Sequence, residues 1–194
     1  FTEDWLMALS RINSSMIGAG DVSNTEHAYL NSVTSNVQTQ IDGAGGNKRV
    51  FLNLLQGDTA VPTNQWGDYN AFYMEDSTTD RLGAVWSVPD DLTAISEILF
   101  FSRSTGGSGN AYMLFEGVAT ASGESNVTDK DTLSATTYAY SDNNLKTHDV
   151  TAMANGLTLG ANHLIALQVE RQALNASDTI NHTVYAFGFQ VTYT

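Results

Sequence analysis

The sequence contains no cysteine and only eight basic residues among its 194 positions. The absence of cysteine excludes disulfide bonds, thiol catalysis and cysteine-based metal sites from this chain. No apolar run approaches the ~20 residues that a membrane-spanning helix needs, so no such helix is expected. The first residues include Glu3, Asp4 and Trp5 and no basic stretch ahead of an apolar block, which is not typical of a signal peptide.

The shortage of positive charge is the second informative absence. Eight Lys and Arg stand against 21 Asp and Glu, which gives a formal net charge of −13. Such a field repels phosphate, so we expect neither nucleic-acid binding nor binding to an anionic membrane. The ordinary interpretation of so acidic a surface is solubility.

Apolar residues, in contrast, are plentiful. They make up 42% of the chain, well above the level at which disorder is expected. A chain of this length holds one ordinary domain with a real core, or a small module followed by one domain.

The first 46 residues carry helical patterns. Trp5, Leu6, Leu9 and Ile12 recur at spacings of three and four, which predicts a helix that ends near Ile17, before a Gly-Ala-Gly run. Two shorter helices are predicted next, the first opened by a capping box and the second by a Thr or Ser cap.

Helices of this size are marginal in water when isolated, so their apolar stripe needs a cover. Copies of the chain around a symmetry axis are the obvious candidate. We therefore predict a subunit or shell interface, which consists of Tyr29, Leu30, Val33, Val37 and Ile41.

Beyond a glycine-rich joint at Gly43–Gly46, the pattern changes from helical to a period of two. Strands are predicted at Lys48–Leu55, Ala71–Met74, Gly83–Val88, Ile95–Phe101, Ala111–Ala119, Thr132–Tyr140, Leu145–Val150, His163–Arg171 and Thr183–Tyr193. Ile95–Phe101 is apolar on both faces, as a central strand would be. In the last strand, alternation places the aromatic and aliphatic residues from Tyr185 to Tyr193 on one face.

Many short strands without βαβ alternation indicate an antiparallel sandwich, of which the jelly roll is the commonest eight-stranded version. The predicted fold is thus mainly β. An antiparallel jelly-roll sandwich at 47–194 is preceded by a short α-helical anchoring and trimerisation segment at 1–46.

The segment Asn24–Asp42 reads Asn-Thr-Glu-x-x-Tyr-Leu-x-x-Val-Thr-Ser-Asn-Val-Gln-Thr-Gln-Ile-Asp. It resembles a module of tailed-bacteriophage virion proteins, which include tail fibres, head fibres and capsid decorations. His27 stands where that module often has an aliphatic residue, and Asn31-Ser32 where it often has Asp-Gly. The module occurs once here, whereas it is often in tandem before a β-rich tip.

The second half has a fainter resemblance to the jelly-roll domain of phage structural proteins. Val85–Leu92 is similar to the entry into that domain, and Asn162–Arg171 with Tyr185–Thr194 is similar to its closing hairpin. The shared pattern is a leucine-rich strand, an arginine, Ser-Asp-Thr and a last strand that ends near Tyr-Thr.

Motifs for catalysis or metal binding are weak. No two of the four histidines, His27, His148, His163 and His182, are four residues apart on a predicted helix, so a zinc site would need distant strands. No Gly-x-Ser-x-Gly elbow is present. The glycines of Thr105–Asn110 lie between two strands and predict a turn.

Loop carboxylates and tyrosines leave alternatives open. Acidic loops could solvate the surface, bind calcium without an EF-hand spacing, or supply the acid pair of a glycosidase; they contain Glu75, Asp76, Asp80, Asp90, Asp91, Glu124, Asp129 and Asp131. Core packing is the default for the tyrosines that could stack on sugars: Tyr69, Tyr73, Tyr138 and Tyr140.

Together, the module and the β-rich half predict a non-enzymatic structural protein of a tailed-phage virion. We expect a homotrimer, without cofactor or metal, that decorates the capsid or forms a short head fibre on the major capsid protein or another virion protein. A tail-fibre tip that recognises a host-surface glycan is the alternative, and a glycan-degrading virion enzyme is the third.

Overall fold

A computed structural model describes residues 46–56, 63–66, 69–124, 129–141 and 143–194. The predicted helical segment, with the interface residues Tyr29, Leu30, Val33, Val37 and Ile41, lies outside the described residues. Its helices, its anchoring role and the domain boundary at residue 46 remain predictions.

Eleven strands form the described part of the chain, with one 3-10 turn at Thr151–Ala154. The strands are β1 (Lys48–Asn53), β2 (Leu55–Gln56), β3 (Thr63–Trp66), β4 (Tyr69–Met74), β5 (Thr79–Ser87), β6 (Ile95–Ser104), β7 (Ser108–Thr120), β8 (Lys130–Ser141), β9 (Lys146–Asp149), β10 (Leu164–Gln172) and β11 (Val184–Tyr193). Strands lie at all nine predicted positions, but the predicted strand Lys48–Leu55 is divided between β1 in one sheet and β2 in the other. The part of the chain that the structure describes contains no helix long and apolar enough to cross a membrane.

The strands form two antiparallel sheets. The six-stranded sheet has the order β3-β4-β11-β6-β9, with β1 also paired to β11, and the five-stranded sheet has the order β2-β5-β10-β7-β8. From β4 onward the chain alternates between the sheets at every step except the β7–β8 hairpin, which places β4-β11-β6-β9 against β5-β10-β7-β8 in a jelly-roll-like arrangement. The predicted mainly β sandwich is confirmed.

The core lies between the two sheets. Phe100 and Phe189 from one sheet meet Phe115 from the other, with Phe100 at centroid distances of 5.2 Å from both. All three rings are fully buried. The alternation in β10 is as predicted: Ile165, Leu167 and Val169 are buried, whereas their neighbours face outward.

One predicted face is wrong in part. Phe189 and Val191 point into the core, but Tyr185 lies on the outer side of the same strand. The cause is a β-bulge: Ala186 pairs with Ser102 and Gly188 with Phe101, so Phe187 is an extra residue. One extra residue reverses the inward–outward alternation, since side chains alternate with a period of two.

Arg171 joins the two sheets at one end of the sandwich. It is fully buried, and its guanidinium forms an ion pair with Asp178 at 2.9 Å. It also donates to the carbonyl oxygens of Met74 (2.8 Å), His182 (2.9 Å) and Ile180 (2.9 Å). The arginine and the aspartate of the closing-hairpin pattern are therefore a charged clamp that is shielded from solvent.

Candidate binding face

The outer surface of the six-stranded sheet carries a concentration of aromatic side chains. We call this surface the aromatic face and define it by Phe51, Tyr73, Phe101, Arg103, Tyr185 and Gln190. The strand register places all six on the outward side of β1, β4, β6 and β11.

A tyrosine pair and an arginine form one row across this face. Tyr185 pairs in register with Tyr73 on one side and with Arg103 on the other. The two tyrosine rings have centroids 4.9 Å apart at 44°, and their hydroxyl oxygens are 3.5 Å apart. The guanidinium carbon of Arg103 lies 5.7 Å from the Tyr185 centroid, within the range of a cation–π contact.

The hydrogen bond with Tyr185 raises the pKa of Tyr73, and partial burial and the neighbouring phenol act in the same direction. Tyr73 therefore stays protonated throughout the neutral range. The row offers a ligand two phenol groups, which donate and accept hydrogen bonds, and one fixed cation.

A second pair of rings meets above a glycine. Phe51 on β1 and Phe101 on β6 are separated by β11, yet their centroids are 5.8 Å apart in an edge-on contact. Gly188 makes this possible: a Cβ there would lie 2.8 Å from two atoms of the Phe51 ring and still closer to the carbonyl oxygen of Leu52. The Phe51 side chain is 48% exposed.

Polar groups border the phenylalanine pair. Gln190 lies between Phe51 and Leu99 in register, and the next residue on the same side of β11, Thr192, donates to Glu97 at 3.4 Å. The face thus combines flat apolar rings with amide, phenol and guanidinium groups, which is the composition of a surface that binds a polar ligand with apolar patches.

Of the tyrosines singled out from the sequence, only Tyr73 is shown on this face. Tyr140 is buried in the core, where it hydrogen-bonds Ser102 at 2.6 Å, and burial raises its pKa. Tyr138 lies against Phe115, with centroids 5.4 Å apart. The side chain of Tyr69 lies outside the described part. The core interpretation was right for two of the four.

Two of the three described histidines have clear surroundings. His148 on β9 packs on Tyr138, with centroids 4.7 Å apart, and burial lowers its pKa to about 4, assisted by the charge of Lys146. His182 lies beside Gly107, which has a positive φ of 65° in the predicted turn. Within the described residues, no group of three His, Asp or Glu is arranged to hold a metal ion.

Several loop carboxylates bind the backbone of the sandwich itself. Asp80 accepts from the amide of Glu75 at 2.5 Å, Asp129 from that of Thr158 at 2.9 Å, and Asp131 from that of Gly156 at 2.6 Å. Glu124 accepts from the amide of Ala121 at 3.1 Å. Asp91 forms an ion pair with Lys48. These five acids are thus engaged in contacts within the sandwich.

Sequence reasoning missed Phe51, Phe101, Arg103 and Tyr185 as site residues. The only available signal was that Ile95–Phe101 is apolar on both faces, which implies outward-facing apolar side chains as well as inward ones. The bulge at Phe187 hid Tyr185, because strict alternation had placed it in the core set.

Comparison with known proteins gives weak matches. No family model and no curated protein matches the chain. The family 11 carbohydrate-binding module of the cellulosomal cellulase Lic26A-Cel5E of Clostridium thermocellum is 13% identical, over 77% of this chain and 95% of that one, with a TM-score of 0.41.

Two further solved structures are similar at the same low level. TmCBM61 in complex with β-1,4-galactotriose is 5% identical, over 77% of this chain and 90% of that one, with a TM-score of 0.36. A carbohydrate-binding module from the family 9 glycoside hydrolase Cel9A of Ruminococcus flavefaciens FD-1 is 12% identical, over 74% and 98%, with a TM-score of 0.35. Similarities this weak establish neither a shared ligand nor a shared function.

Proposed function

We propose that the β-sandwich is a non-catalytic recognition domain of a virion protein and that it binds a host-surface glycan on the aromatic face. The observation that carries this proposal is the grouping of Phe51, Phe101, Tyr73 and Tyr185 on one outward surface, with Arg103 against the Tyr185 ring. A pyranose has an apolar C–H side and a rim of hydroxyl groups. Aromatic planes contact the first, and phenol, amide and guanidinium groups bind the second.

The net charge of the chain indicates which class of glycan it can bind. The chain carries a net charge of −13, so it repels a polyanionic polysaccharide over the ~8 Å range that physiological salt leaves unscreened. Arg103 supplies a cation against Tyr185. Arg49, at the border of the face, lies in register with Thr192, which also pairs with Glu97. We therefore propose a neutral glycan, with Arg103 acting as a planar hydrogen-bond donor to hydroxyl groups.

An array of neutral and acidic glycans, probed with the full chain, tests this function. Phe51→Ala removes an exposed ring whose loss costs little packing, and we expect at least a tenfold loss of affinity, equivalent to about 1.4 kcal/mol. Tyr185→Ala should have a similar effect. The matched control is Tyr112→Ala, since Tyr112 is a partly buried tyrosine on the outer side of the five-stranded sheet.

Three results would overturn the proposal: no glycan bound, binding retained by both aromatic-face variants, or an equal loss in Tyr112→Ala. Preference for acidic glycans would overturn the charge argument alone. Hydrolysis of the bound glycan, lost on neutralising one loop carboxylate, would favour the glycan-degrading alternative.

A second candidate function is favoured by a specific observation, the Asn24–Asp42 module that resembles phage virion proteins. On this proposal the chain is a homotrimeric capsid decoration or short head fibre, held by the apolar stripe that includes Val37 and Ile41. A decoration co-purifies with particles in hundreds of copies, whereas a tail tip is present in a handful. Val37→Asp or Ile41→Asp should weaken self-association in light scattering; a wild-type chain that is a stable monomer would contradict the trimer.

A further inference from the structure

The outer surface of the five-stranded sheet carries a different set of side chains. Strand register places Ala166 opposite both Val85 and Val118. Leu164 lies two residues from Ala166, on the same side of β10. Leu55 on the edge strand pairs with Gly83, two residues from Val85 on the same side of β5. We call the surface formed by Leu55, Val85, Val118, Leu164 and Ala166 the aliphatic face.

This face holds an unusual share of the exposed apolar side chains. Leu55 is 57% exposed, Val85 53% and Leu164 52%. The other large hydrophobic side chains that are exposed among the described residues are Phe51, on the opposite sheet, and Leu145 and Leu174, in turns. Contiguous exposed apolar surface on a sheet marks a contact with another macromolecule.

The charged groups on this face cancel one another. Arg81 forms an ion pair with Glu170, and Lys130 with Glu116. Burial alone would raise the pKa of Glu170, but hydrogen bonds from Arg81 and Gln172 and the charges of Arg81 and Lys130 lower it. Glu170 is therefore a carboxylate at neutral pH, and the two ion pairs leave the described part of this face without net charge.

A neutral face selects one kind of partner for a chain with a net charge of −13. Two copies of this chain repel each other through their net charge, and this repulsion is weak at a surface whose charges are internally paired, such as the aliphatic face. A polyanion finds no cationic patch here, and a basic partner would be attracted to the acidic surfaces instead. The distribution of charge therefore favours a second copy of this chain as the partner of the aliphatic face.

The size of the face agrees with this partner. β5 and β10 are nine residues long. At about 3.3 Å per residue and a strand spacing of about 4.8 Å, the whole outer surface of the five-stranded sheet is roughly 30 Å long and roughly 19 Å wide. This surface, of which the aliphatic face is a part, has an area on the order of 600 Å² and approaches the ~800 Å² that each partner contributes to a standard protein interface.

We propose that the aliphatic face is an interface between copies of this chain. The proposal adds an interface within the β-sandwich and does not depend on glycan binding, since the aromatic face lies on the opposite side. Leu55, Val85 and Leu164 exclude water from the contact, and the ion pairs of Arg81 and Lys130 lie on the same side of the sheet.

Because the chain has no cysteine, a single introduced thiol reports on the face directly. We would label Leu164→Cys with a maleimide–polyethylene glycol at several concentrations of the full chain. Leu174→Cys, at an exposed turn, is the matched control. The expected result is at least tenfold slower labelling of Leu164→Cys at high protein concentration, which approaches the control rate on dilution. Equal rates at all concentrations would overturn the proposal.

The second measurement is sedimentation velocity of Val85→Asp/Leu164→Asp in the full chain. We expect its self-association constant to fall at least 100-fold, with Leu145→Asp/Leu174→Asp as the control that leaves it unchanged. Circular dichroism checks that the variant is folded, and retained glycan binding separates this result from failure of the proposed function. Protection of Leu164→Cys that does not change on dilution would mean that another part of the same chain covers the face, and would overturn the proposal.

Discussion

The two outer faces of the sandwich have the same backbone and opposite chemistry. The aromatic face presents rings and a guanidinium in cation–π range, whereas the aliphatic face presents branched side chains and charges that are already paired. Aromatic rings carry polar edges and a quadrupole, and can hold a hydroxylated ligand in a defined orientation. Aliphatic side chains have no such preference and stabilise a contact by removing water.

The two faces also differ in how far their partly buried polar groups are already hydrogen-bonded. On the aromatic face, Tyr73 and Tyr185 keep hydroxyl groups that can bind a ligand. On the aliphatic face, Glu170 is occupied by Arg81 at 2.9 Å and by Gln172 at 2.7 Å. One surface retains hydrogen-bonding capacity for a polar ligand, and the other has used much of it internally.

The largest expected effect comes from Arg171, a buried residue that contacts both sheets. Arg171 lies on β10, behind the aliphatic face, and holds the carbonyl of Met74 behind the aromatic face. Arg171→Met leaves the buried Asp178 without its cation, and removing one partner of a buried pair costs about 3–5 kcal/mol. We expect the midpoint of thermal unfolding to fall by about 10 °C or more, measured by calorimetry, and both binding activities to weaken together.

Arg81→Met is the matched control for that change. In its ion pair with Glu170 the arginine side chain is 41% exposed and the carboxylate 8%, whereas Arg171 and Asp178 are 0% and 2% exposed. The loss of stability should therefore be smaller than in Arg171→Met. Equal losses in the two variants would show that the fully buried clamp is no more important than a pair with one exposed partner.

Acid should act on the interior behind the aromatic face. The folded-state pKa of His148 is about 4, below the ordinary value of 6.5, because the ring is buried against Tyr138 and Phe100. A depressed pKa gives stability that is present above pH 6.5 and lost as pH falls through 4. The difference between these two pKa values corresponds to about 3 kcal/mol in the free energy of unfolding.

Chemical denaturation at pH 7 and pH 4 measures this effect, and His148→Phe should reduce it by removing the titrating group. Arg81 offsets the burial of Glu170, and the pKa of this carboxyl is lowered. Its contribution to the stability of the fold is therefore lost only as pH falls below the ordinary carboxyl pKa. Because His148 packs between Phe100 of one sheet and Tyr138 of the other, glycan binding and self-association should weaken together as the sandwich loses stability. Equal stability at pH 7 and pH 4 would contradict the burial of a neutral His148.

The strands were predictable and the aromatic face was not. Period-two patterns are local, which is why β10 and β11 were found to within a residue. β3 was missed because its sequence, Thr-Asn-Gln-Trp, has no alternation and depends on pairing with β4. The face assignment of Tyr185 failed because a bulge shows only when the partner strand is in place.

The tyrosines of β8 show the same limit. Tyr138 and Tyr140 share a side by alternation, but only the packing of β9 and β7 around them decides that this side is the core. The aliphatic face was equally hidden, since Leu55, Val85 and Leu164 come from three strands that neighbour each other only in the folded sheet. Alternation within a strand is thus a property of sequence, whereas the grouping of residues from different strands is a property of topology.

The smallest change contrasts one glycine on each face. A Cβ at Gly188 would press on the Phe51 ring and the β1 backbone, whereas one at Gly83 would lie 3.3 Å from the carbonyl oxygen of Leu167, its nearest neighbour. Gly188→Ala should therefore cost about 1–3 kcal/mol by overpacking and displace Phe51, while Gly83→Ala should stay within about 1 kcal/mol. Denaturant titration and glycan affinity, measured in both variants, give the comparison. A Gly188→Ala protein that keeps its glycan affinity would show that the Phe51–Phe101 contact is not part of the binding surface, because that contact exists only where β11 has no side chain between the rings.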